Sequence, residues 1–172
     1  MNSAISSTRR IGVLPEAIAQ NAVAVSLDEQ LPGSILGGDN ARGEQALTVH
    51  ASYIVRLCRI LKERGFEQLS GVTAVDWWPV EPRFELVYFL HSLSSHTRLR
   101  LTLRLAEGEQ IDSVCSVWRG ANWYEREVFD LFGIQFRNHP SLERIMMPAD
   151  WEGHPLRKDY PVHGYKYSYQ NE

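Results

Sequence analysis

Asn122-Trp123-Tyr124-Glu125-Arg126-Glu127-Val128-Phe129-Asp130-Leu131-Phe132-Gly133 reads as one short helix that is unusually rich in charge. Asn122 is a good N-cap, and Glu125 three residues later completes the spacing of a capping box. Gly133 stands where helices commonly end in a left-handed residue. Tyr124, Val128 and Leu131 recur at helical spacing and form an apolar stripe. Glu125 and Glu127 suit the positive end of the helix, but Asp130 falls near the negative end, where its charge is unfavourable. Arg126, four residues earlier, offsets that by only a few tenths of a kcal/mol. Asp130 is therefore expected to have a further cationic partner, in this chain or in another.

The chain continues through His139-Pro140-Ser-Leu-Glu-Arg144-Ile145 and Asp150-Trp151-Glu-Gly-His154-Pro155-Leu-Arg157-Lys158-Asp159-Tyr160-Pro161. Residues 122–161 as a whole resemble the signature of the 30-kDa-type subunit of respiratory complex I, the C subunit of bacterial NADH:quinone oxidoreductase. Asn-Trp-Tyr-Glu-Arg-Glu, Asp-Leu-Phe-Gly-Ile, His-Pro-Ser-Leu-Glu-Arg-Ile and Asp-Trp-Glu-Gly-His-Pro-Leu-Arg-Lys-Asp-Tyr-Pro carry the resemblance, and residues 45–118 fit it by pattern only. It implies an α/β two-layer fold and a subunit that carries no cofactor of its own. FMN and Fe–S clusters would sit in other subunits of the complex. The implied partners are the large quinone-site subunit of the 49-kDa type and neighbouring Fe–S subunits. The implied location is the cytoplasmic side of the cell membrane, peripheral and attached through the complex. Related subunits of membrane-bound hydrogenase, formate-hydrogenlyase and plastoquinone-reducing complexes are the alternative parents.

Composition agrees with a compact subunit. A chain of 172 residues is long enough to bury a real core. The net charge of −3 argues against nucleic acid as a main partner. No stretch approaches the roughly 18 consecutive apolar residues of a membrane span. Arg9-Arg10 glances at an export signal, but Pro15, Glu16, Gln20 and Asn21 deny it an apolar core. Cys58 and Cys115 are the two cysteines. An iron–sulfur cluster asks for about four ligands, mostly Cys, so no cluster of this chain's own is expected. Gly-rich phosphate-binding loops are absent from the sequence.

Periodicity along the chain gives three regions. Residues 1–45 form an N-terminal segment, Ser-rich and mobile at its start, with a short helix near 14–20 and a loop at Gly37-Gly38-Asp39-Asn40. Residues 46–138 form the domain. A short strand is expected at 46–50 and a helix at 52–64, with Ile54, Leu57, Cys58 and Leu61 on its apolar face and a stop at Gly65. Strands follow at 69–77, at 84–90 and at 98–105. In the last, Leu99, Leu101, Leu103 and Leu105 alternate with Arg98, Arg100, Thr102 and Arg104. The arginine row reads as a solvated face, with Glu85 of the preceding strand opposite one of its members. Extended pieces are expected at 111–118 and 134–136. The fold class is α/β (α+β): two layers with a mixed, largely antiparallel sheet.

Residues 139–172 form the third region, an extended C-terminal arm. Pro140, Pro148, Pro155 and Pro161 break regular structure, yet Leu142, Ile145, Met146, Met147, Trp151, Leu156, Tyr160, Tyr165, Tyr167 and Tyr169 are too apolar for a solvated tail. Aromatics, Met and Arg in one arm compose an interface. An enzyme reading would use His139, His154 and His163 with nearby carboxylates, but no His-x-x-x-His or Cys-x-x-Cys spacing supports it. Catalytic, cofactor and metal residues are therefore not expected. The structural and partner-contacting residues expected from the signature are Glu125, Arg126, Glu127, Asp130, His139, Pro140, Arg144, Asp150, Trp151, His154, Pro155, Arg157, Lys158, Asp159 and Tyr160. The charged helix is expected to meet Arg144, Arg157 and Asp159 of the arm.

Overall fold

Leu99, Leu101, Leu103 and Leu105 all point into the core, and their alternation fixes which face of the central sheet is covered. The computed structural model that shows this describes residues 16–19, 21–41 and 44–162. The expectations for residues 1–12, His163, Tyr165, Tyr167 and Tyr169 lie outside the described residues.

In chain order the elements are α1 (Ala22–Gln30), β1 (Ile35–Ala41), β2 (Glu44–Val49), α2 (Ile54–Glu63), β3 (Gln68–Asp76), β4 (Phe84–Ser92), β5 (Thr97–Leu105), β6 (Ile111–Asp112), α3 (Ala121–Phe132) and β7 (Phe136–Arg137). Short 3-10 turns precede α1 at Glu16–Ile18 and α2 at Ala51–Tyr53. The main sheet has the order β1-β2-β5-β4-β3. Its neighbours are antiparallel except β2 and β5, which run parallel. This is the mixed, largely antiparallel sheet of the α/β reading.

Register explains the core. Leu86 faces Leu103, Tyr88 faces Leu101 and Leu90 faces Leu99, so the apolar rows of β4 and β5 coincide on one side. Val72 and Ala74 of β3 and Leu47 of β2 join them. On the other side Glu85 lies opposite Arg104, 3.6 Å from its guanidinium, as the sequence suggested. Ile54, Leu57, Cys58 and Leu61 of α2 are buried against the inner side. That helix closes where expected: Phe66 N–H donates to the Leu61 carbonyl and Gly65 N–H to that of Lys62.

Three expectations need correction, and one helix was not foreseen. The Gly37-Gly38-Asp39-Asn40 cluster is not a loop but the middle of β1, paired with β2 from Gly37 opposite Thr48 to Asn40 opposite Gln45. Tertiary packing requires glycine there. A Cβ on Gly38 would lie 2.5 Å from the Ala46 carbonyl oxygen and 2.7 Å from Ile18 Cγ2. α1 was not anticipated; Asn21 caps it by accepting from the N–H groups of Val23 and Ala24. Of 111–118, only Ile111 and Asp112 are strand, because Val117 and Trp118 turn back to bond the Val114 carbonyl. The expected strand at 134–136 lies at Phe136–Arg137, parallel to β6.

Gly38→Val should cost about 1–3 kcal/mol through overpacking. Urea midpoints against a Gly120→Ala control, whose added methyl meets nothing within 4 Å, measure this. Equal midpoints for the two variants would contradict the close approach of the Glu16–Ile18 turn to β1.

Candidate functional site

α3 begins two residues earlier than its sequence signals suggest, at Ala121, with Gly120 instead of Asn122 as N-cap and no side-chain cap bond. Asn122 therefore sits inside the first turn, and the expected capping box is not formed. Glu125 has been turned inward instead and is fully buried. Ser113 Oγ–H donates to its Oε2 at 2.6 Å, Val114 N–H to its Oε1 at 2.8 Å and the Cys115 thiol to Oε2 at 3.4 Å. Burial pushes the Glu125 pKa up, and these donors offset the shift only in part. Burial also pushes the Cys115 thiol up to about 11, with Glu125 adding to it, so this thiol is not an activated nucleophile.

Cys115, Glu125 and His139 bring one donor atom each to within 4.8 Å of one another, a spacing a metal ion could bridge. The hydrogen bonds oppose that use. His139 Nδ1 accepts from Ser141 N–H at 3.1 Å, so Nε2 carries the proton and turns it toward the Asn122 carbonyl at 3.3 Å. The ring thus presents an N–H, not a lone pair, to Glu125, 3.9 Å away. Burial holds the His139 pKa below its ordinary value, as does nearby Arg126. The cluster reads as a polar brace between α3, the Ser113–Cys115 turn and the start of the arm.

Asp130 is also fully buried, and it has the cation its position demands. Arg144 Nη1 reaches its Oδ1 at 2.7 Å. Its Oδ2 accepts three successive backbone N–H groups, from Ile145, Met146 and Met147, at 2.9, 2.7 and 2.9 Å. Such a run of N–H groups is an anion-binding nest. Burial alone would raise the Asp130 pKa, but Met147 and Met146 N–H, Arg144 and Ile145 N–H outweigh it and hold the carboxyl below its usual value.

The arm also completes the C-terminus of α3, where four carbonyls lack partners within the helix. Gly133 N–H takes the Phe129 carbonyl, with Gly133 itself left-handed at φ 79°. His154 Nδ1–H donates to the Asp130 carbonyl at 2.9 Å, Leu156 N–H to that of Leu131 at 3.0 Å and Arg157 Nε to that of Phe132 at 2.6 Å. Gly133 must be glycine on two counts, since a Cβ there would also lie 2.6 Å from the His154 ring. Burial lowers the His154 pKa, and Arg157 and Arg144 lower it further.

A second fastening was not seen in the sequence. Arg83, fully buried, grips Asp76 with Nε and Nη2 at 3.0 and 2.8 Å and Asp159 with Nη1 and Nη2 at 3.0 and 2.6 Å. Glu107 bonds both Arg83 and Arg157 at 3.1 Å, and Lys158 N–H donates to Asp76 at 2.8 Å. Hydrogen bonding from Arg83 is the main reason the Asp159 pKa lies below its ordinary value. The Asp76 carboxyl is held low by Arg83 and the Lys158 and Trp78 N–H groups against its burial. A signal for Asp76 existed: it shares the inward parity of Val72 and Ala74, and a carboxylate there needs a partner.

The structure thus divides the residues that the signature singled out. Asp130 meets Arg144, but Arg157 and Asp159 bond Phe132, Glu107 and Arg83 rather than the acidic side chains of α3. Arg126 donates to the Glu143 carbonyl at 3.1 Å, and Glu127 is exposed. Tyr160 hydroxyl reaches the Glu152 carbonyl at 3.4 Å. Trp151 and Pro155 are half-buried, whereas Pro140, Asp150 and Lys158 are exposed. Residues 139–162 contain no helix or strand, and their polar groups are directed at their own domain as far as Asp159. Their large apolar side chains divide: Leu142 packs on the core and Ile145, Met147 and Trp151 are half-buried, whereas Met146 is 62% and Leu156 52% exposed.

Asp130→Asn leaves Arg144 facing a neutral group in a buried site and should cost roughly 3–5 kcal/mol, measured by urea unfolding of the purified chain. Acid should unfold the wild type in two stages. His139 and His154 have depressed pKa values, so their contribution is complete above about 6.5 and is lost as pH falls through their folded values. Asp130, Asp76 and Asp159 contribute above about 3.9 and lose that contribution as pH falls below it. His154→Gln should shrink the first stage and Asp130→Asn the second. An unchanged pH profile in both variants would refute these assignments.

Comparison with known proteins agrees with the geometry. The family model for the respiratory-chain NADH dehydrogenase 30-kDa subunit matches residues 47–166. The C subunit of the NADH-quinone oxidoreductase of Geotalea uraniireducens is 49% identical over 84% of this chain and 89% of its own length. The protein of the same name from Geobacter sulfurreducens is 48% identical over 84% and 91%. Among solved structures, a chain of the membrane-bound sulfane sulfur reductase, an archaeal respiratory membrane complex, aligns with TM-score 0.72 and 28% identity, covering 87% of this chain and 93% of that one. The trypsin-resistant fragment (1-134) of Nqo5 aligns with TM-score 0.57 and 31% identity, covering 60% and 86%. A matched model over most of the chain, with relatives nearly half identical along almost their whole length, places this chain in the respiratory-chain NADH dehydrogenase 30-kDa subunit family.

Proposed function

We propose that this chain serves as the C subunit of a proton-translocating NADH:quinone oxidoreductase, where it braces the quinone-reducing module and carries no redox group. Electrons would pass from NADH through FMN and Fe–S clusters of other subunits to quinone. The partners proposed are the large quinone-site subunit of the 49-kDa type and its Fe–S neighbours. The chain would be attached through them to the cytoplasmic side of the membrane; no helix among the described residues is long and apolar enough to cross it.

One observation supports this reading most. The arm uses its charged and backbone groups on its own domain and leaves Met146 and Leu156 turned to solvent. An apolar surface held in a fixed shape is suited to docking, not to catalysis. The alternative parent complexes are served equally well by the sulfane sulfur reductase likeness, which does not favour them. The subunits that copurify under mild detergent separate the two.

Met146→Glu with Leu156→Glu should leave the unfolding midpoint of the isolated chain within about 0.5 kcal/mol and reduce the amount of assembled complex severalfold. Turnover per assembled complex should stay near the wild-type value. Normal assembly with lost turnover would count against the bracing role. In the isolated chain trypsin should spare Arg144 and Arg157, which the domain binds, and cut at exposed Lys158, and assembly should protect that bond; a relative described as a trypsin-resistant fragment is consistent with a resistant domain.

A further inference from the structure

The arm accounts for one surface of the domain, and the outer face of the sheet is a second. All described helices are packed with the inner leucine rows, and none of them covers the opposite side of the five strands. By register, Phe89 lies opposite Arg100, Val87 opposite Thr102 and Thr73, and Val75 opposite Glu85. Val75, Trp77 and Phe89 are 40%, 43% and 41% exposed on this side. The face is concave: a depression of about 550 Å³ spans all five strands, from Asp39 through Thr48 and Thr102 to Val75. A second, of about 440 Å³, adjoins it between Glu44 and Arg98. Antiparallel sheets can face water on one side, but they then alternate apolar with polar residues, and here Val75 and Phe89 stand exposed on the outer side beside a buried Val87.

Charge narrows what would cover this face. Arg104 is accounted for, since it pairs with Glu85 and stacks on Trp77 at 5.2 Å. Arg100 is not. It lines both depressions, and its Nε is buried without a hydrogen-bond partner among the described residues. A buried guanidinium N–H left unpaired is costly, and a carboxylate is the group that matches it best. The patch is also continuous with the arm's landing point. Trp77, Trp78 and Val80 are exposed and follow directly on Asp76, the last residue of β3, whose buried carboxylate binds Trp78 N–H, Arg83 and Lys158 N–H.

We propose that the outer sheet face is a docking surface for another protein subunit of the same complex, one that lays apolar side chains on Phe89 and Val75 and gives a carboxylate to Arg100. This rests on the chain being a subunit of a multisubunit oxidoreductase. It adds a second contact face, next to the arm but distinct from it.

Thiol footprinting tests this in the assembled complex. Phe89→Cys, and Val75→Cys as a second probe, are labelled with a maleimide in the isolated chain and in the complex, with the wild-type thiols as background. Labelling should be fast in the isolated chain and slowed about tenfold or more on assembly. Equal rates in both would overturn the proposal. Slow labelling in the isolated chain would also overturn it, pointing to the chain's own residues 1–15 or 163–172, or to a second copy if the rate depends on concentration. Arg100→Lys with a carbodiimide tests the carboxylate: the expected crosslink joins Lys at position 100 to an Asp or Glu of another subunit. Links only to Asp39, Glu44 or Glu85, or none, would overturn that part. If the chain enters no complex at all, the subunit reading fails; if Met146→Glu with Leu156→Glu blocks assembly while probes at Phe89 remain reactive in wild-type complex, only this proposal fails.

Discussion

Asp130 concentrates the constraint around which this structure is organised. It is a carboxylate in the last turn of a helix, where the dipole opposes it, and it is out of contact with water. Left alone it would be protonated or would unfold the turn. Arg144 and the N–H groups of Ile145, Met146 and Met147 make it stable, and all four donors come from the arm. A single buried charge thereby determines where residues 144–147 lie. The helix carbonyls at Asp130, Leu131 and Phe132 then determine where His154, Leu156 and Arg157 lie. What looks like a tail in sequence is the C-terminal cap of α3.

The two buried acids of α3 illustrate how neighbours decide a carboxylate's character. Glu125 meets a hydroxyl, one backbone N–H and a thiol, with no cation in hydrogen-bond contact among the described residues, and burial wins. Asp130 meets a guanidinium and three N–H groups, and the charged form wins. Five residues apart on one helix, they have opposite shifts. The first ties the helix to the Ser113–Cys115 turn within the domain; the second ties the arm to the helix. Arg83 repeats the second arrangement with the signs exchanged, one buried cation between Asp76 of β3 and Asp159 of the arm.

Much of the fold was legible because burial and periodicity coincide in it. β4, β5 and α2 each have one covered face, so Phe84 to Leu90, Leu99 to Leu105 and the Ile54, Leu57, Cys58, Leu61 set show it directly. α1 was not legible, since only Ala24 and Leu27 are buried among its nine residues and its alternating valines suggest no helical stripe. β1 was misread because Gly-Gly-Asp-Asn is turn chemistry, and only the tight approach of Ile18 and Ala46 explains glycine in a strand. At the site, the helix dipole correctly required a cation for Asp130. The Asn122–Glu125 spacing misled, because it imitates a capping box in a helix that starts two residues earlier. Asp76 and Arg83 were missed since the arm groups that complete the cluster, Asp159 on Arg83 and the Lys158 N–H on Asp76, lie 76 and 82 residues away in sequence and no local pattern joins them.

The arrangement also has a consequence for association. A disordered arm that folds on binding loses roughly 1–2 kcal/mol of backbone freedom per ordered residue at the moment of docking, and affinity falls accordingly. Here the ordering is offset beforehand by hydrogen bonds within the chain, from Arg126 with the Glu143 carbonyl to Arg83 with Asp159. Met146 and Leu156 are then displayed on a frame that is already set, so that burying them converts more fully into binding. The same frame transmits geometry. Because the arm is bonded to α3 at Asp130, Leu131 and Phe132 and to the sheet at Asp76 and Arg83, a partner seated on it is positioned relative to the rigid β-sheet instead of a flexible tail. For a subunit whose proposed contribution is to hold redox centres of other chains at fixed separations, that rigidity is the property its buried charges supply.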